Sequence, residues 1–405
     1  MRWLVCLMLY SQHLYSPRLA AFISFDGFWT DAVLGRQRCS RHRLRLYASA
    51  EPRSAVVSEA TTTARLGRLS HIGVTFDALL LDQFGVLHDG STPYQGAVEC
   101  FNHLVSSGKK IVLLSNSSKR SGKTRSKMAS MGFNMAQGAT EIITSGDVVF
   151  QCLSQLQDSS ALGAADEFRG FSAERRRCVV FGNGDDDWEY LKDCGCQVAD
   201  VADAQFILAR GLFELHRDAE SPPAVLGAPP LHALGRRVAA AAGAAQQADV
   251  PQLSEAEGLV YDVLLQCRAA ALPMIVANPD FTRPDGNDSP MPGRLAGLYE
   301  AMGGDVRRIG KPHGLAYRIA ADWLERQHSV HDRSRVLAVG DSLPHDILGA
   351  NREGYPSVFI AGGVHYCELG LGRQGGSEMP DEERLRAVLD EYDVSATYCL
   401  PSFVW

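Results

Sequence analysis

The feature that most constrains this chain is a four-residue apolar run that stops at a carboxylate: Ala78-Leu79-Leu80-Leu81, closed by Asp82-Gln83-Phe84-Gly85. The same arrangement recurs along the sequence. Ile111-Val112-Leu113-Leu114 ends in Ser115-Asn116-Ser117-Ser118, and Ile142-Ile143 ends in Thr144-Ser145-Gly146. Near the other end, Val336-Leu337-Ala338-Val339 closes at Gly340-Asp341-Ser342, and Ser357-Val358-Phe359-Ile360 closes at Ala361-Gly362-Gly363. Short continuous apolar runs separated by helical periodicity, such as that over 93–108, predict strands buried on both faces of a parallel sheet. The fold class is therefore α/β, a doubly wound parallel sheet with helices on both sides. Ligands of such sheets bind beyond the carboxyl ends of the strands, and Asp82, Ser115 and Asp341 all fall at that edge.

A second α/β unit is read over 176–277, with strands at Cys178–Phe181, Gln205–Ala209 and Met274–Ala277. The Ala- and Pro-rich stretch 219–248 interrupts it as a surface insertion containing a helix. The expected organisation is a first core segment at 72–175, this inserted unit at 176–277, and a second core segment at 278–405. Pro380-Asp381-Glu382-Glu383 opens a final helix with acids at its N-terminus, as the helix dipole prefers, and the aromatics of Pro401-Ser402-Phe403-Val404-Trp405 should pack on the core.

Charge separates off the first 70 residues. Residues 1–50 carry seven arginines, no lysine and only two acids, Asp26 and Asp31, whereas the whole chain is net -7. An Arg-rich, acid-poor leader with an apolar start and a Ser/Thr/Ala-rich end has the character of an organelle transit segment. It resembles plastid presequences, with a mitochondrial or cytoplasmic address as the alternative, and 1–70 is set outside the fold. The acidic remainder disfavours nucleic acid as the main partner. No apolar run reaches the length of a membrane span. The ten cysteines are too sparse and irregular for a disulfide scaffold, and Cys194-Gly195-Cys196 has neither zinc nor thioredoxin spacing, so they read as small core hydrophobes.

The chemistry lies in an ordered set: a strand-end Asp82 with Gly85 three residues on, a strand-end Ser115, Gly310-Lys311-Pro312, and Gly340-Asp341 followed by Asp346. In that order, with an inserted unit between the second and third, these motifs resemble the haloacid dehalogenase (HAD) superfamily. The insertion, with Asn278-Pro279-Asp280, Pro292-Gly293 and His313 after Lys311-Pro312, looks like its class IIA with a C2-type cap. The resemblance implies Mg2+-dependent hydrolysis of a small phosphorylated metabolite through an aspartyl-phosphate. It makes Asp82 the nucleophile and assigns Mg2+ to Asp82, the Phe84 carbonyl and Asp341. Asp346 would reach the metal through water or orient Asp341 or Lys311. Ser115 with Asn116 and Ser117 would hold the phosphoryl oxygens, Lys311 would add a point charge, and Asn278 and Asp280 would contact substrate or serve as hinge. The physics is consistent, because a carboxylate can attack a phosphoryl group only where cations screen the repulsion between two anions.

One residue departs from the family pattern. Its phosphatases carry a second Asp two residues after the nucleophile, which protonates the leaving alcohol, and here that position is Phe84. General acid–base help is typically worth 10²–10⁴-fold. His88 and Asp89 are candidate substitutes, although His88-Asp89-Gly90 also reads as a turn. Three functions are weighed accordingly: a phosphatase, a phosphate-ester-binding or regulatory protein that has lost turnover, and a hydrolase attacking carbon. Asp341 and Asp346 disfavour the last, since displacement at carbon needs no metal.

Two weaker signals complete the reading. Gly182-Asn183-Gly184 followed by Asp185-Asp186-Asp187 is a turn with an acidic helix start that could present a selecting carboxylate. His313 and His345 read as helix-start or surface residues. The cap offers a surface for a homodimer.

Overall fold

The computed structural model describes residues 62–156, 166–171, 176–242, 251–281, 289–372 and 375–405. In chain order its strands are β1 (Ala64–Arg65), β2 (Ala78–Leu81), β3 (Lys110–Ser115), β4 (Thr140–Thr144), β5 (Arg177–Gly182), β6 (Gln197–Val198), β7 (Phe206–Ala209), β8 (Glu214–His216), β9 (Ala224–Val225), β10 (Met274–Val276), β11 (Val306–Arg308), β12 (Val336–Gly340), β13 (Ser357–Ile360) and β14 (Tyr398–Leu400). They form two sheets. The first runs β1-β14-β13-β12-β2-β3-β4, with every pairing parallel. The second runs β11-β10-β7-β5-β8-β9, with β6 added to β5 and β8 and β9 antiparallel.

Alternation along β2 shows why the apolar run is continuous. Leu79 and Leu81 join a core that includes Phe101, Leu104 and Met128, from helices Ala97–Ser106 and Ser121–Ser130. Ala78 and Leu80 face the opposite way, into a core with Val148 and Val149 of helix Ser145–Ser154 and Tyr317 and Ala320 of helix Gly314–His328. Each side of a strand points to a separate layer of helices, so neither side can be polar.

The second sheet repeats this layering. Val179, Phe181, Ile207, Met274 and Val276 pack under helices His232–Ala241, Glu255–Ala269 and Pro292–Ala301. Its other face, with Cys178, Val180, Phe206, Leu208 and Ile275, belongs to the same cluster as Ala78 and Leu80. The inserted unit is therefore seated on the first through continuous apolar packing.

Two boundaries differ from the sequence reading. The second sheet ends at Arg308, because β11 pairs with β10 and helix Pro292–Ala301 packs in that core; residue 277 falls between β10 and this helix. The polar edge strand Val306-Arg307-Arg308 carries no apolar run to mark it. The exclusion of 1–70 is also corrected. β1 pairs with β14, and Leu69 is fully buried, but a two-residue strand has too little sequence for periodicity to register. The Arg-rich leader itself falls in 1–61, outside the described residues.

Other expectations hold. Asp381 caps the final helix Glu382–Glu391 with its carboxylate on the Glu383 and Arg384 amides. Phe403 is buried, and Trp405 lies against the His103 ring at 4.3 Å. Of the eight described cysteines seven are buried and Cys367 is exposed. No described helix is long and apolar enough to cross a membrane. If residues 62–71 are part of the fold, Leu69→Ala should cost about 2–5 kcal/mol of unfolding free energy by denaturant titration; a loss below about 0.5 kcal/mol would show this segment to be dispensable.

Candidate active site

In the first sheet the chain leaves β2 for β3 and β4 on one side and later returns to β12, β13 and β14 on the other. This reversal opens a crevice at the carboxyl ends of β2 and β12. Asp82 follows β2 there, Asp341 follows β12, and Asp346 lies in the helical turn Leu343–Ile347. One carboxylate oxygen from each of the three lies within 4.8 Å of the others.

Lys311 enters from the chain leaving the second sheet. Its Nζ is 2.5 Å from Asp82 Oδ1 and 2.7 Å from Asp346 Oδ1. Asn116 fixes the lysine from the end of β3. Its Oδ1 accepts from the Lys311 amide at 2.7 Å, and its Nδ2 donates to the Lys311 carbonyl at 3.2 Å and to Asp280 Oδ1 at 2.8 Å. Asp346 Oδ2 accepts from the Ser342 amide at 3.0 Å, and Asp341 Oδ2 from the Val364 amide at 2.7 Å.

Three glycines leave room for the carboxylates. A Cβ on Gly85, whose φ is +77°, would lie 1.8 Å from Asp341 Oδ2. On Gly363 it would meet Asp341 Cβ at 2.1 Å, and on Gly340 Asp346 Cβ at 2.2 Å. The Phe84–Gly85 backbone thus runs directly against the Asp341 carboxylate.

Burial pushes Asp82 up to about 7, with the Asp346 charge adding to it and Lys311 opposing. Burial and the neighbouring Asp82 and Asp346 also raise Asp341 well above the carboxylate range. Lys311 is held charged, above its ordinary value, because the fields of Asp346 and Asp82 overcome the cost of its burial. Three carboxylates share one ammonium, so their oxygens lack about two positive charges. The hard-oxygen cluster of Asp82, Asp341 and Asp346 could hold a divalent cation such as Mg2+.

The other residues singled out in the sequence fall nearby in differing ways. Ser115 ends β3, and its Oγ accepts from the Ser117 amide at 3.3 Å. Ser117 accepts from the Lys119 amide at Oγ and from the Gly146 amide at its carbonyl. Asn278 is buried, its Oδ1 accepting from the Asp280 amide at 2.9 Å, so Asn278 and Asp280 brace the seam that carries Asn116 and Lys311. His313 precedes helix Gly314–His328 as expected. His345 does not sit on the surface: its Nδ1 is 3.0 Å from Ser342 Oγ and 3.5 Å from Asp280 Oδ1.

Around Phe84 no replacement acid emerges from the adjacent turn. The Phe84 ring packs edge-on against His88 at 4.9 Å, over the space left by Gly90. His88 is 2% exposed and its Nδ1 accepts from the Gly90 amide. Burial, with Lys127 adding, pushes its imidazole down to about 4, so it is neutral near pH 7. Asp89 spends one oxygen on Ser91 and Thr92 and lies in the open. Both are turn residues. Sequence reasoning missed Tyr94, whose buried hydroxyl has no hydrogen-bond partner and is pushed up to about 12 by burial and the Asp341 and Asp89 charges.

Two family models match the chain: haloacid dehalogenase-like hydrolase over residues 79–197 and HAD-hydrolase-like over 308–373. A D-glycerol 3-phosphate phosphatase of Mycobacterium tuberculosis is 27% identical over 300 residues, 73% of this chain and 66% of that protein. A Caenorhabditis elegans protein is 25% identical over 298 residues, 70% of this chain and 48% of its own length. The chain thus spans 66% and 48% of the lengths of these two curated relatives. Among solved structures, a haloacid dehalogenase-like hydrolase from Brucella suis superposes with a TM-score of 0.56 at 22% identity, covering 83% of this chain and 99% of its own. A p-nitrophenyl phosphatase from Archaeoglobus fulgidus gives 0.50 at 19% identity, covering 81% and 96%. The fold and the ordered motifs thus accompany a likeness to haloacid dehalogenase-like hydrolases over residues 79–197 and 308–373.

Proposed function

We propose that the protein transfers the phosphoryl group of a small phosphate monoester to Asp82 and then to water. The observation that carries this reading is the Asp82–Lys311–Asp346 chain beside Asp341 at the reversal of the sheet. Asp82 Oδ forms the new bond to phosphorus as the ester oxygen leaves, giving an aspartyl-phosphate. Water then attacks phosphorus, the acyl–phosphate bond breaks, and Asp82 recovers its carboxylate as inorganic phosphate departs. Lys311 screens the approach of anion to anion. Ser115 and the backbone that follows it would hold the phosphoryl oxygens. Asp82, the Phe84 carbonyl and Asp341 would hold Mg2+, which supplies the positive charge that makes attack by a carboxylate on a phosphoryl group feasible. Asp346 acts through Lys311. Substrate selection belongs to the cap, seated over the crevice.

Phe84 shapes which esters turn over. With no carboxylate at that position, leaving groups that need little protonation should react best. We expect p-nitrophenyl phosphate to outpace glycerol 3-phosphate by on the order of 10²–10⁴-fold in kcat/KM, and Phe84→Asp to narrow that gap. Equal, fast rates on both esters, unchanged by Phe84→Asp, would mean that another group delivers the proton. The commitment of His88 and Asp89 to their turn also supports a second reading, a protein that binds phosphate esters without turnover. That reading stands if neither protein hydrolyses any ester in a metabolite panel while both bind them with Mg2+.

Charge crowding makes metal binding sensitive to pH. A proton on Asp82 must leave before its oxygen can bind a cation, so below about pH 7 the apparent Mg2+ affinity should fall by about tenfold per pH unit. Calorimetric titrations at pH 5.5, 6.5 and 8.0 test this, and Asp82→Asn should flatten the profile; constant wild-type affinity over that range would contradict the crowding.

A further inference from the structure

The acidic stretch after Gly182-Asn183-Gly184 takes no part in the reaction proposed above, yet it forms a second buried cluster. β8 lies antiparallel to β5 with Gly182 opposite Glu214 and Val180 opposite His216. Glu214 and His216 are two apart on one strand and project to the same face, and Asp187 meets them from the start of helix Asp187–Asp193. His216 Nε2 is 3.3 Å from Glu214 Oε2 and 3.7 Å from Asp187 Oδ2. One donor atom from each of the three residues lies within 4.8 Å of the others.

Three further observations point to a cation. The His216 side chain is fully buried, and neither ring nitrogen has a hydrogen-bond partner, an arrangement that is costly unless something occupies it. Among the described residues, the Glu214 carboxylate pairs with no lysine or arginine. Arg210 turns its guanidinium to Asp187 Oδ1 and Asp186, while Asp187 Oδ2 accepts from the Gly184 amide at 2.9 Å and faces His216. Gly182 lets these side chains approach the strand closely: a Cβ there would lie 2.3 Å from Asp187 Oδ2 and 2.9 Å from His216 Nε2. Ligands bound tetrahedrally at about 2.0–2.2 Å stand about 3.3–3.6 Å apart, close to the two separations found here.

We infer that Asp187, Glu214 and His216 form a second metal site, distinct from the Asp82 centre, for a transition-metal dication of the Zn2+ class. One imidazole and two carboxylates suit such an ion better than Mg2+. The ion would tie the end of β5 to β8 and to the loop 182–187. That loop meets the core through ion pairs from Asp185 to Lys119 and from Asp186 to Lys123. The site would therefore stiffen the part of the cap that touches the phosphate-binding loop.

Equilibrium dialysis of the metal-stripped full-length protein against Zn2+ tests this, with wild type, Asp341→Asn, His216→Gln and Glu214→Gln compared and folding checked by circular dichroism. One Zn2+ should be retained by wild type and by Asp341→Asn. Both cap variants should bind it at least about tenfold more weakly. Should His216→Gln fail to fold, Glu214→Gln, on a partly exposed side chain, decides the outcome. Absence of Zn2+ binding in wild type, its loss in Asp341→Asn alone, or affinity unchanged in Glu214→Gln would overturn the assignment.

Discussion

Three carboxylates gathered around one buried ammonium are the constraint on which the rest of this structure depends. Asp82, Asp341 and Asp346 cannot all ionise in a low-dielectric crevice without countercharge, and Lys311 supplies only one. Burial accordingly drives Asp82 and Asp341 upward while Lys311 is locked in its charged form. Much of the nearby backbone serves to hold this arrangement. Glycine at 85, 340 and 363 makes space that no side chain could share, and Asn116 grips both backbone polar groups of Lys311. A site that crowds three carboxylates around one ammonium can take up a cation as their protons leave.

The cap reaches the same crevice through charge as well as apolar packing. Arg210 is buried, stacks on the Tyr190 ring at 3.7 Å, pairs with Asp186 and Asp187, and donates to the Ser118 carbonyl at 3.3 Å. Tyr190 in turn donates to the Gly146 carbonyl at 2.7 Å. The loop that follows Ser115 is thus touched on one side by the core and on the other by the cap. A displacement of the cap would be felt at the loop that follows Ser115.

Much of this was legible in the sequence because it rests on local signals. The apolar runs gave β2, β3, β4, β12 and β13 of the first sheet, and the polar residues that close them gave Asp82, Ser115 and Asp341. The order of the motifs predicted that Lys311 and Asp346 would join them. Elements defined by long-range pairing were not legible. β1 and β11 are short or polar and exist because β14 and β10 present edges to them. The role of Asn116 in holding Lys311 spans 195 positions, and Arg210, Tyr94 and His216 gain their environments from packing that no spacing rule encodes.

The central claim is that Asp82 becomes covalently phosphorylated. It is tested most directly by mixing the enzyme with p-nitrophenyl phosphate and Mg2+, quenching in acid within one turnover, and mapping peptides by mass spectrometry. The account predicts one phosphoryl group on the peptide carrying Asp82, labile to hydroxylamine and absent in Asp82→Asn. Release of p-nitrophenol with no phosphorylated Asp82 at any quench time, or full turnover by Asp82→Asn, would contradict it.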